Sequence, residues 1–396
     1  MQDERSKIWF LLALGILYCL ALGYIFQKLP SKGYNDDFHA RWYASRQQFE
    51  NGRSIYDWEN AEEVSKLTGW PRVYELRYYY PAYLQVFTAP LSFLPYPLAR
   101  FLWTIFGLWA LWSGTLLFLH FPRQVLSVNQ ITILLVLITT SLPVFQHTLN
   151  GQFNTIGVLS LGLTYWALYR KKYLLAGIFS AGILFKPQAT IFALGFLAFW
   201  SLWEKARWKF LLGLGLAALG LWGIAELLEP QWVPAFLESL DSYTEIRSVL
   251  MQLGDTRAFL SVGLGLLTLW LFWRWREQEP PDWTFRSVYL WAISMSVLVI
   301  PLYAMLHAVL LGPMCALLLG IVADWKPAWL QRTWWLTIAI FIIGLSVFFA
   351  ALLLTGTTGW HINAPELVYR VTAPIIIGGI TLASLLSMRE KHEQLI

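Results

Sequence analysis

Apolar runs of roughly 17–25 residues, the length a helix needs to cross a bilayer, recur along this chain from end to end. Inside such a run the backbone N–H and C=O groups have no water to bond, so each must close its hydrogen bonds within a helix. Only 13% of the 396 residues are charged, against about a quarter in soluble domains. The 23 Trp and 18 Tyr suit membrane interfaces, where an apolar ring and a polar tip straddle two phases. An all-α, polytopic membrane protein follows, organised as a single transmembrane domain over residues 1–396. The first run, Ile8 to Phe26, is too long for a signal-peptide core and lacks a small-residue cleavage site, so it reads as a retained anchor.

The net charge of +5 does not imply a nucleic-acid partner, because Lys and Arg sit beside apolar runs rather than on one soluble face. Cys19 and Cys315 lie far apart inside apolar segments. They read as packing residues, with neither a disulfide framework nor a metal motif around them.

Positive charge in short loops stays cytoplasmic and so orients the chain. The clusters are Arg5 and Lys7; Arg123; Arg170 to Lys172; Lys205, Arg207 and Lys209; Arg274 and Arg276; Lys326 and Arg332; and Arg389 with Lys391. Placing all of them on one side predicts about twelve crossings, at 8–26, 98–120, 129–147, 153–169, 173–185, 187–203, 208–227, 257–273, 286–302, 308–323, 334–354 and 367–387, with both termini cytoplasmic. Pro81 to Leu94 is short, contains Pro90, and reads as a re-entrant or interfacial helix on the outer face. Lys186-Pro187 breaks the chain between two short segments. Two outer loops, at about 27–97 and 228–256, carry polar residues among aromatics and read as helices lying on the membrane surface.

Candidate chemistry gathers on that outer side. In Asn35-Asp36-Asp37-Phe38-His39 a partly desolvated carboxylate can serve as a general base. Either aspartate can instead cap the helix that follows, and the pair is thin evidence for a divalent cation. In Asn150-Gly151-Gln152-Phe153-Asn154 the amides of Asn150, Gln152 and Asn154 suit sugar hydroxyls, although Asn-Gly is also a common turn signal. Lys186, in Phe185-Lys186-Pro187-Gln188, is an ionisable residue between apolar helices. It can hold a phosphate as a point charge or snorkel from a helix end. His307 lies at another outer junction and can donate to a leaving phosphate or assist proton transfer, although a lone His on an apolar background is more often a satisfied structural residue. Arg77, opening Tyr78-Tyr79-Tyr80-Pro81, can add a phosphate contact or anchor the interfacial helix. Nothing in the spacing singles out Arg41. The sequence carries no P-loop, zinc-binding helix or nucleophile elbow.

The order of these motifs resembles glycosyltransferase family 87: Asp37-Phe38, then Gly52 and Tyr56, Tyr80-Pro81 and Pro90-Leu91, Asn150 to Asn154, Ala176-Gly177, and Phe185 to Gln188. The likeness spans about residues 34–203 and weakens toward the C-terminus; Ala82 stands where Tyr-Pro-Pro is more usual. It implies a GT-C fold in the plasma (inner) membrane with an extracytoplasmic active site. It further implies inverting transfer of a sugar, mannose being the best known, from a polyprenyl-phosphate-linked donor to a lipid or glycan acceptor. By the same likeness Asp37 is the general base, with Asp36 as the neighbouring alternative. Lys186, His307, Arg77, Asn150, Gln152, Asn154, Gln188 and Tyr80 are expected to bind substrate, with no cofactor or metal. A secondary transporter or flippase of lipid-linked substrates is the competing reading, disfavoured by the one-sided polar candidates and the absence of a repeat.

Overall fold

The computed structural model describes residues 36–119, 126–187, 190–240, 254–299, 305–355 and 372–393, with most of the helical residues between 13 and 24. All regular structure among them is helical. In chain order the α-helices from Asp37 onward are α1 (Asp37–Asn51), α2 (Trp58–Thr68), α3 (Gln85–Ser92), α4 (Tyr96–Leu119), α5 (Val128–Thr140), α6 (Leu142–Leu149), α7 (Asn154–Tyr169) and α8 (Tyr173–Ser180). They continue as α9 (Ile191–Ser201), α10 (Trp208–Leu228), α11 (Gly254–Arg274), α12 (Trp283–Val299), α13 (Leu311–Trp325), α14 (Leu330–Thr355) and α15 (Ala373–Glu393).

Three stretches among the described residues are long and apolar enough to cross a bilayer unbroken: Tyr96–Leu119, Lys205–Leu228 and Ala308–Trp325. They fall on the expected crossings 98–120, 208–227 and 308–323. The expected crossing 129–147 is instead two helices, α5 and α6, bent by 53°. Pro143 has no N–H to return to Thr139 and its ring would crowd that turn, so α5 cannot run on through it, whereas the first turn of a new helix tolerates it. Ser141 therefore turns extended (φ −65°, ψ 148°) between them. Counted as one broken span, this pair brings the number of crossing elements among the described residues to four.

The segments 173–185 and 187–203 hold only eight-residue α8, the 3-10 turn Ala181–Phe185 and eleven-residue α9. At 1.5 Å per residue α9 reaches about 17 Å, short of a hydrocarbon core of about 30 Å. Pro81–Leu94 forms a 3-10 turn and eight-residue α3, likewise too short to cross.

The described residues group into two compact units. The first draws on Met1–Trp109, His147–Phe153 and Leu216–Leu253. In it, α1 buries Phe38, Arg41, Trp42 and Ser45, the i, i+3, i+4, i+7 spacing of a helix lying on a core. That face meets α3 through Ser45 Oγ and Thr88 Oγ1 at 2.9 Å and through Trp42 Nε1 donating to Leu91 O at 3.0 Å. Its flank packs Ala40 with Ala61, Val64 and Leu76 of the α2 region.

The second unit draws on Ala110–Gln146, Asn154–Gly215 and Gly254–Ile396. Lipid gives helices no hydrophobic reason to associate, so close backbone packing has to do it. Gly114 of α4 and Gly162 of α7 illustrate this: a Cβ on Gly162 would stand 2.6 Å from Gly114 O, and one on Gly114 2.6 Å from Val158 O. Loops expected on one membrane face also converge. Arg207 donates to Arg276 O at 3.0 Å and pairs with Glu279, and Trp200 Nε1 donates to Gln278 O at 2.8 Å. Close by in the chain, Arg286 pairs with Asp324 and Trp283 stacks near Trp325.

Candidate active site

The N-terminus of α1 is built around two adjacent aspartates with different surroundings. Asp36 is the N-cap. Its Oδ1 accepts from the N–H groups of Phe38 (3.0 Å) and His39 (3.2 Å), two of the donors a helix start leaves unsatisfied. Its Oδ2 accepts from Arg100 Nε at 3.0 Å and from the Tyr96 hydroxyl. A carboxylate has about four acceptor positions, and here four donors are aimed at it. Burial pushes Asp36 up, but the Arg100 guanidinium, the Tyr96 hydrogen bond, His39 and the backbone N–H outweigh it and hold the carboxyl below its ordinary value. Asp36 is therefore an ionised structural cap.

Arg100 ties three pieces of chain together. Besides Asp36 it donates to Thr104 Oγ1 at 2.8 Å, Thr148 O at 2.5 Å and Leu149 O at 2.8 Å. The turn it holds is the Asn-Gly turn. Asn150 O accepts from Asp37 N at 2.9 Å, and Gly151 O accepts from Trp103 Nε1 at 3.1 Å. Gly151 has φ +62°, and a Cβ on it would lie 2.5 Å from Phe38 Cβ and 2.8 Å from Asp36 Oδ1. Only glycine fits both that backbone conformation and that approach. Behind the turn, Arg100, Trp103, Thr104, His147 and Gln152 line a cavity of about 10 Å³, room for about one water.

Asp37, the first residue of α1, lies at the edge of this cluster. Its side chain is 13% exposed, against 7% for Asp36. Its Oδ1 accepts from Arg41 Nη1, one turn along, at 3.1 Å. The Arg41 guanidinium lies over the Tyr80 ring, 5.1 Å from its centroid. Tyr80 is held at both ends: its hydroxyl donates to Gln152 Oε1 at 3.3 Å and its carbonyl accepts from Tyr56 OH at 2.9 Å. Asp36 and Asp37 thus each meet a different arginine, Arg100 and Arg41.

The expected site residues are distributed as follows. Asp36, Asp37, Tyr80, Asn150 and Gln152 come together in the first unit. Arg77 is in the same unit, half-buried, with its guanidinium 5.9 Å over the Trp58 ring. Asn154, buried at the start of α7, and Lys186, which ends the 3-10 turn Ala181–Phe185, belong to the second unit. Gln188 lies outside the described residues, as does the side chain of His307.

Sequence reasoning missed Arg100, Tyr96 and Trp103. The signal for Arg100 was available: it is an arginine in the opening turns of an apolar span, where a charge is expensive enough to need a purpose. Tyr96 and Trp103 had none, being two aromatics among many. A further buried carboxylate, Glu229, accepts from Gln48 Nε2 at 2.6 Å and Ile55 N at 3.2 Å. Burial raises its pKa.

The family comparison decides the class of chemistry. The model of glycosyltransferase family 87 matches residues 78–301, more than half of the chain. The chain belongs to glycosyltransferase family 87. It is a membrane glycosyltransferase, which sets aside the transporter reading. The match begins beyond Asp37, so Asp37 rests on its geometry and on the likeness of its own motif. Among curated proteins and among solved structures, none matches the chain.

Proposed function

We propose that the protein transfers mannose from a polyprenyl-phosphate donor to a lipid or glycan acceptor at the extracytoplasmic face of the plasma (inner) membrane, with inversion, and that Asp37 is the base. One observation carries the assignment of the base. Of two adjacent carboxylates, Asp36 is saturated by four donors, whereas Asp37 stands at the edge of the cluster with greater exposure.

In this reading the acceptor hydroxyl gives its proton to the Asp37 carboxylate as its oxygen attacks the anomeric carbon. The bond from that carbon to the phosphate oxygen breaks, and the polyprenyl phosphate departs with the electron pair. Negative charge builds on the phosphate, where Lys186, Arg77 and His307 are the proposed stabilisers. Asn150, Gln152, Asn154 and Gln188 are the proposed hydroxyl contacts, and Tyr80 is a proposed wall of the site. An orientation with both termini cytoplasmic and these groups on the outer side of the membrane is part of the same proposal.

The test is transfer by the purified protein in lipid, with polyprenyl-phosphate mannose, a mixed lipid acceptor pool, and Asp37→Asn as control. A general base contributes about 10²–10⁴-fold, so the variant should lose at least that much transfer or slow donor hydrolysis while remaining folded. A wild-type protein that neither binds nor turns over this donor would refute the donor assignment. Full activity in Asp37→Asn would remove Asp37 from the role.

A further inference from the structure

We propose that Arg41 is a positioning residue for Asp37, keeping its carboxylate ionised and fixed in orientation within a buried seat. The inference rests on Asp37 being the base. Nothing in the sequence marks Arg41, one of several polar residues on a short helix, but three observations do.

Its burial comes first. Arg41 is 2% exposed and Asp37 9%, so both charges have left bulk water. A buried carboxylate without a counter-charge neutralises itself by taking up a proton, and in that state it cannot accept one from an acceptor hydroxyl. Spacing comes second: residues 37 and 41 are one helical turn apart and project from the same face of α1, with 3.1 Å between Nη1 and Oδ1. Third is the fixation of the guanidinium itself. Its Cζ lies over the Tyr80 ring, 5.1 Å from the centroid, where the negative face of the ring favours a cation. Tyr80 is in turn anchored through Gln152 and Tyr56.

The manner of contact is also informative. Arg41 reaches Asp37 through a terminal nitrogen, and its Nε is buried with no hydrogen-bond partner. An arginine serving only as a structural cross-link would gain most from a two-pronged grip on the carboxylate. The end-on contact supplies charge and direction without a fork-on-fork lock, which suits a carboxylate that must accept a proton once per turnover.

Two measurements test this. The first is the pH dependence of donor turnover in wild type, Arg41→Gln and Arg41→Lys. Loss of an adjacent opposite charge raises an aspartate by about 1–3 pH units. The acid limb of the Gln variant should therefore move up by that amount, and the Lys variant should lie close to wild type. The second is the infrared carbonyl band of a protonated carboxylic acid, assigned to Asp37 by its absence in Asp37→Asn. It should be missing in wild type at neutral pH and appear at higher pH in Arg41→Gln than in wild type.

An unshifted acid limb in a folded Arg41→Gln protein would overturn the proposal. So would an Asp37 carbonyl band in the wild type at pH 7, which needs no variant to fold. The infrared arm also needs no turnover, so a failure of the donor assignment leaves it readable.

Discussion

Both units bury an arginine against carboxylates, yet the two clusters are built differently. In the first unit Arg100 and its partner Asp36 are both buried, with side chains 10% and 7% exposed. In the second unit Arg207 is as buried, at 4%, but its partners Glu204 and Glu279 are 51% and 31% exposed. Arg207 is further held by two backbone carbonyls and by the Trp200 ring 4.3 Å away. A buried cation whose anions reach water keeps a solvated alternative if one contact fails. A cluster in which both charges are buried has none, and it is the one that sets the geometry of Asp37.

The largest expected effect is therefore at Arg100. Replacing it with Met leaves the Asp36 carboxylate buried without its counter-ion and strips a donor from Thr148 O and Leu149 O. Breaking a buried pair from one side costs about 3–5 kcal/mol, and transfer should fall with the loss of the turn that seats Asp37. Thermal melting in detergent measures the cost. The comparison sharpens with Asp36→Asn added to Arg100→Met, because removing the orphaned charge should recover part of the loss. If the double variant melts no higher than Arg100→Met, charge pairing is not what makes this cluster brittle.

A smaller effect is expected from pH, because protonation leaves the Arg100 bonds to the two carbonyls intact. Burial, then Arg100, lower His39 from its ordinary 6.5, with Asp36 opposing. The folded state thus disfavours the charged imidazole, and stability present above about 6.5 declines as pH falls from there toward the lower folded value. Asp36 is also lowered, from 3.8, so its contribution is present above that value and is lost as pH falls below it. Melting temperature should decline in two windows. His39→Gln should flatten the upper one and Asp36→Asn the lower. A single window unaltered by either change would show that acid acts elsewhere.

The comparison also explains what could be read from the sequence. Helical class and most helix positions were legible, since apolar length and the Lys186-Pro187 break are local properties. The bend at Ser141 was equally local, signalled by Pro143 two residues on, and went unread because no Asp, Glu, Lys or Arg interrupts the run 129–147. Asp36 and Asp37 were legible as a pair but not as a division of labour. That division depends on Tyr96 and Arg100, some sixty residues away in the chain, and spacing along one strand of sequence cannot show which carboxylate they reach. Arg207 gives the converse lesson. It was counted as a loop charge in orienting the chain, but burial and pairing with Glu204 and Glu279 make it part of the packing, so it is weaker evidence for orientation than Lys205 or Lys209 beside it.

The smallest expected effect is at Glu279. Replacing it with Gln removes one partner of Arg207 yet keeps a side chain of similar shape able to accept a hydrogen bond. Glu279 is about a third exposed, so solvent already screens much of the attraction, and pairs of that kind are worth about 0–1 kcal/mol. Arg207 retains Glu204 Oε2 at 2.9 Å, the carbonyls of Arg276 and Glu277, and Trp200. Melting should drop by no more than about 1 kcal/mol equivalent, with transfer unchanged. A loss as large as that of Arg100→Met would break the comparison, because exposure of the anion would then not be what separates the two clusters. The distinguishing property would have to be the number of chain segments each arginine holds, which is tested by Arg207→Met: it should then match Arg100→Met in cost even though its anions remain in water.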